Sequence, residues 1–214
     1  MRMRTILSAS GVAAVMAIGL GATTALATAT TTWTVKPGGS YTAKSGTTTL
    51  TDLVTGSVLS CTSSAAAGKL KSGSGLTNPL GTVTSSTFTG CTGGGGAFTF
   101  SVTTSASSTK PWKVNATGYS SGVTTGNISG IHAVLTGTNN TCQATVDGTG
   151  ATAFNGKVAI KHSNSTPAKL KVTKGINLHV YNVTSGCLGA INSGDAVTFT
   201  TTYTLSNGQT ITSP

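Results

Sequence analysis

Ala196-Val197-Thr198-Phe199-Thr200-Thr201-Thr202-Tyr203-Thr204-Leu205 decides the fold class. Val197, Phe199, Tyr203 and Leu205 fall on one face of this stretch, and a row of threonines falls on the other. Successive strand side chains point to opposite faces, so a period of two marks a half-buried β-strand. Ala97 to Thr103 repeats the pattern, with Phe98, Phe100 and Val102 against Thr99 and Ser101.

The same reading extends in both directions. Strands are expected over Thr47–Ser60 (broken near Asp52 and Gly56), over Gly81–Thr89, and around Trp112 and Val114 after Pro111. A long β region runs from Val123 to Leu135, with turns expected at Gly126 and Gly130. Cys142–Val146 ends on Asp147-Gly148, a hairpin signal. Lys157–Lys161, Lys169–Thr173 and Asn177–Val183 follow, and Gln209–Thr212 reads as a final edge strand. Thr and Val pack well on a pleated surface, whereas Gly and Ser supply turns. Gly93–Gly96 lacks the Gly-Lys-Ser/Thr of a phosphate loop and joins two strands. The expectation is an all-β, antiparallel β-sandwich or barrel-like fold of about a dozen short strands.

The first residues carry the three parts of a secretory signal: Arg2 and Arg4, an apolar run from about Ile6 to Leu20, then Ala25-Leu26-Ala27. This predicts a signal peptide over 1–27 and an extracellular or cell-surface location, with no membrane span in the mature chain. Residues 28–44 read as a flexible N-terminal segment with one turn at Pro37-Gly38-Gly39. The β domain is expected over 45–214. A similar order of features suggests two related halves, about 45–136 and 137–214.

Cys61, Cys91, Cys142 and Cys187 are an even set in an exported chain, which implies two disulfides. Cys61–Cys91 and Cys142–Cys187 are favoured because each keeps within one half. No two cysteines have the close spacing of a zinc site, and no pattern points to a metal or a cofactor.

Eleven lysines face only three acids, Asp52, Asp147 and Asp195, in a chain of net charge +10. Lys69 and Lys71 are two apart, as are Lys169 and Lys171, so each pair shares one strand face. These four are the candidate polyanion-binding residues, for a cell-wall polymer. Nucleic acid is not expected, because the mature chain has no arginine and few aromatics. No catalytic residue is assigned. A serine-hydrolase alternative would need His132 or His179 within reach of a serine and an aspartate. A membrane β-barrel would need a continuous apolar outer band.

The chain resembles a group of uncharacterised secreted proteins of actinomycete bacteria. The residues that carry this are Leu50-Thr51-Asp52, Cys61-Thr62-Ser63-Ser64, Ser72-Gly73-Ser74-Gly75-Leu76, Gly90-Cys91, Pro111-Trp112, Gly126–Ile131, Ile191–Ala196 and Tyr203-Thr204. The resemblance implies export and a β-rich fold, and brings no activity. The expected role is a secreted, non-enzymatic binding or structural module of the cell envelope or medium. Its partner would be a cell-wall polyanion, a glycan or another protein.

Overall fold

The computed structural model describes residues 31–213, and the export signal read at 1–27 lies outside them. The described residues form sixteen strands and two short 3-10 turns. The strands build eight staves, met in chain order.

β1 (Trp33–Lys36) stands apart from them. β2 (Gly39–Ser45) and β3 (Thr48–Asp52) form the first stave. Both pair with β4 (Val58–Leu70), the second, in one continuous register, with Ser45 opposite Ser64 and Thr48 opposite Cys61. β5 (Gly73–Leu76) leaves the wall, and β6 (Gly81–Gly93) is the third stave, paired along β4. The fourth consists of β7 (Phe98–Thr104) above and β8 (Trp112–Ser120) below, both on β6. β9 (Val123–Ile131) and β10 (Ala133–Gly137) are the fifth, interrupted only by His132. β11 (Gln143–Asp147) and β12 (Gly156–Ser163) are the sixth, and β13 (Lys169–Gly175) and β14 (His179–Tyr181) the seventh. β15 (Val197–Leu205) is the eighth. One edge of β15 pairs with β13 and meets β14 at the His179–Ala196 bridge. Its other edge pairs with β2 and β3 and closes the ring.

The result is an up-and-down antiparallel barrel of eight staves, which leaves no open sheet edge in its wall. Five staves come from the first half of the chain and three from the second, so both halves are needed to close one ring. Eight strands give an interior just wide enough to be filled by side chains or to hold one small ligand.

Alternation decides which face is which. Val197, Tyr203 and Leu205 of β15 are buried, as are Val158, Ile160 and His162 of β12. The intervening residues, such as Thr202, Thr204, Lys161 and Lys171, are exposed or half-exposed. Apolar side chains therefore fill the inside and Thr, Ser and Lys cover the outside, the reverse of a membrane barrel.

The lower end is sealed by a second, three-stranded sheet, in which β1 lies between β5 and β16 (Thr210–Thr212). Of residues 28–44, expected to be a flexible segment, the described part from 31 on instead supplies β1 and most of β2. Trp33 and Val35 alternate inward and are fully buried with Leu80 and Ile211. Asn164 gives both halves of its amide to Ile211, accepting its N–H at 2.9 Å and donating to its carbonyl at 3.1 Å, and Thr124 donates to the same carbonyl at 2.6 Å. These bonds fix the plug to the barrel rim.

Three local expectations change. Asp147-Gly148 does not open a hairpin: residues 148–155 make an excursion, and β12 continues in the direction of β11. Gly126 and Gly130 lie within β9 and are not turns. A Cβ on Gly126 would sit 2.0 Å from the Asn115 carbonyl oxygen, so glycine there permits close strand approach beside the bulge in β8. The turn falls instead at Ser121-Gly122, where both residues have positive φ (48° and 80°), the two-residue form that suits strand twist.

Candidate functional site

Both disulfides form as favoured, Cys61–Cys91 between facing residues of β4 and β6 and Cys142–Cys187 at the upper end. All four cysteines are buried and used, and all but Cys91 line the lumen cavities.

The inward faces leave space along the barrel. A cavity of about 350 Å³ lies under the upper end, bounded by Val58, Phe98, Phe100, Val180, Ile191 and Val197. A second of about 100 Å³ lies below it among Ala43, Ala66, Val102, Ile131, Val172 and Phe199. Leu50, Leu59 and Leu135 border both, so the two are neighbours along the lumen. The lining is overwhelmingly apolar. The upper end is ringed by exposed apolar side chains: Leu53 and Val54 in the turn after β3, Val58 at the start of β4, and Leu188 in the loop before β15, at 77% exposure. Thr55 donates its hydroxyl to the Ala190 carbonyl at 2.6 Å and the Leu53 N–H bonds Ala196, which brings that turn and that loop together. No lysine occurs in any upper-tier strand or upper turn.

Several buried polar atoms of the inward faces lack partners. Thr48 borders the lower cavity and Asp52 the upper one, with Thr48 Oγ1 and Asp52 Oδ2 themselves buried and unpaired, as is Thr201 Oγ1 on the inward face of β15. Asp52 spends Oδ1 on the N–H groups of Val54 and Thr55, which shapes its turn and leaves the second oxygen free. Deeper down, His162 is 2% exposed and neither ring nitrogen has a partner. Burial pushes its pKa down by more than the nearby Asn164 amide, which is spent on Ile211, raises it, so the ring is held neutral. Burial likewise pushes the Tyr41 and Tyr203 phenols up; Ser64 donates to Tyr203 at 2.8 Å and partly offsets that. Apolar walls with a few unpaired polar atoms are the makeup of a small-molecule pocket.

A second site lies on the outer wall. Four adjacent staves are interrupted at one level, by residues 105–111, by His132, by 148–155 and by 176–178. These interruptions enclose a polar groove of about 560 Å³, whose lining includes Lys110, Lys113, Ser129, Phe154, Lys157 and Asn177. Asp147, with no exposed surface, organises it. Its carboxylate accepts the N–H groups of Gly148, Phe154 and Asn155 at 2.6, 3.0 and 3.1 Å and the Nδ1 proton of His132 at 2.8 Å. Burial alone would raise its pKa; the bonds from His132 and from the three backbone donors outweigh that and hold the carboxyl below its ordinary range. Phe154 takes φ +50°, a conformation that costs a bulky residue on the order of 1–3 kcal/mol. Its ring stacks on His132 at 4.3 Å, with the Lys110 ammonium over it at 4.5 Å.

His132 therefore meets an aspartate, but no serine hydroxyl bonds it among the described residues. His179 Nδ1 faces the carbonyls of Gly148 and Asn177.

The four lysines singled out by spacing do not form one row. Lys69 lies on β4 and Lys71 just past its end, where its ammonium donates to the Thr77 carbonyl. Lys169 and Lys171 lie three staves away on β13, where Lys171 directly opposes Lys161. Lys69 instead belongs to a row of one residue per stave: Lys69, Thr82, Lys113, Ser129, Lys157. The row runs into the groove. The only ion pair among the described residues is His132–Asp147, so these lysines have no acidic partner there.

No protein-family model, curated protein or solved structure matches the chain. Sequence reasoning missed both cavities, Phe154 and Lys110. The available cue was the Asp147-Gly148 and Asn155-Gly156 pair bracketing one excursion.

Proposed function

We propose that this is an exported, non-enzymatic binding protein whose barrel lumen holds a small, largely apolar molecule admitted at the upper end. The carrying observation is the 350 Å³ apolar cavity beneath a rim of Leu53, Val54, Val58 and Leu188. That volume falls in the lower part of the range of about 300–1,000 Å³ typical of ligand pockets. The lining is apolar but for a few residues such as Asp52 and Ser57, which suits a ligand with an apolar body and at most one polar group. A hydrolase reading draws on His132–Asp147, but there the aspartate is committed to three backbone donors and the histidine to a stacked phenylalanine. Two disulfides and a surface of threonine and lysine fit work outside the cytoplasm.

The test is to purify the protein from its producing cells, extract it with organic solvent and weigh what is released. An apolar compound in near-stoichiometric amount supports this reading. A protein that releases none, and takes up none from an apolar extract of the same cells, contradicts it.

A further inference from the structure

The groove on the outer wall is independent of the lumen, and the chain invests in it. Four interruptions in adjacent staves coincide to make it. A fully buried carboxylate is used to pin the 148–155 segment, and Phe154 is held in a backbone conformation that favours glycine. The effect is to present an aromatic ring, 37% exposed, in a polar concavity. Lys110, Lys113 and Lys157 line that concavity with hydroxyls and amides between them. Neighbouring staves lie about 4.8 Å apart, so Lys113 and Lys157, two staves apart with Ser129 between, stand about 10 Å apart at the backbone. Lys69 continues the same spacing beyond Thr82.

We propose that this groove binds an acidic glycan, a sugar chain bearing carboxylates, which continues along the lysine row. One face of the Phe154 ring is stacked on His132; the other, under the Lys110 ammonium, becomes an apolar platform for a sugar face once that ammonium turns to a carboxylate. Lys110, Lys113 and Lys157 pair with the carboxylates. The Ser129 hydroxyl, which accepts from Asn115 and keeps its own proton to donate, is placed for a sugar hydroxyl. Spaced charge separated by hydroxyl side chains suits a polymer whose own charges recur at intervals and are separated by hydroxyls. A bare polyanion would use the lysines and leave the ring idle.

The experiment titrates the full protein with a galacturonate trimer, with the neutral galactose trimer and with tripolyphosphate at low salt. Phe154→Gly is the central variant, because glycine accepts φ +50° and the loop keeps its Asp147 bonds, so folding is preserved and checked by thermal melting. Saturable binding of the acidic trimer alone is expected. It should weaken about tenfold in Lys113→Ala/Lys157→Ala and about three- to tenfold in Phe154→Gly. Val58→Trp, at the lumen mouth, should leave it unchanged. No binding of the acidic trimer overturns the proposal. So does equal binding of either other probe, or binding that Phe154→Gly does not alter.

Discussion

The carboxylate of Asp147 and the imidazole of His132 meet at 2.8 Å at the one level where four staves of the barrel are broken. The pair closes the gap that the broken staves would otherwise leave, because Asp147 also gathers the three N–H groups that start and end the 148–155 excursion. Removing the carboxylate strands those donors. Asp147→Ala is expected to cost about 3–5 kcal/mol, measured by urea unfolding. A loss below about 1 kcal/mol would mean that the excursion does not depend on it.

Because the native pKa of Asp147 is depressed, its contribution is complete above its ordinary value of 3.8 and is lost as pH falls through the lower native value. Wild-type stability should therefore drop at acid pH below about 4, and Asp147→Asn should be flatter in that window.

His162 governs a separate, higher window. It is buried without partners and its native pKa lies below 6.5, so the unfolded chain binds the proton more readily. Stability is complete above pH 6.5 and falls as pH drops from there towards the native pKa. His162→Leu removes the orphaned ring and should stabilise by about 1–3 kcal/mol at pH 5. Thermal melts at pH 5 and 7 should show the wild type losing more than the variant. Parallel losses would place the titrating group elsewhere.

Lys161 and Lys171 oppose each other directly across β12 and β13 on the outer wall. Like charges in that relation are destabilising, and an opposite pair contributes about 0.2–1 kcal/mol. Lys171→Glu should therefore raise stability by up to about 1 kcal/mol at low salt, with the gain fading as salt rises. A destabilised variant would show that Lys171 makes a contact the charge argument overlooks.

Cys142–Cys187 ties the loop before β15 to the start of β11 and lines the upper cavity. Its span of 45 residues corresponds to about 4 kcal/mol in the chain-entropy account. Replacing both cysteines with alanine should cost about that much and loosen the mouth, seen as faster exchange of amides over residues 184–195 than over β4.

The wall was legible in the sequence and the ends were not. Val197, Phe199, Tyr203 and Leu205 alternate through an uninterrupted stave, and the cysteine order favours the pairing that forms. The plug was missed because β1 offers only Trp33 and Val35 as apolar positions, and their burial comes from β16, at the far end of the chain. Ring closure between β15 and β2 has the same origin: it joins residues some 160 positions apart. The groove was hidden for another reason. Asp147-Gly148 carries a hairpin signal, and only the continuation of β12 on the same stave reveals an excursion. The four lysines were grouped by spacing along strands, whereas register across strands decides which of them are neighbours.

Titration with the neutral fluorophore N-phenyl-1-naphthylamine reads out whether the lumen admits an apolar molecule. The protein should take up one equivalent with a blue-shifted, saturable signal, and Val58→Trp, which fills the mouth from a partly exposed position, should abolish it while the melting temperature holds. A signal that never saturates, or one that Val58→Trp leaves unchanged, would contradict an accessible apolar lumen.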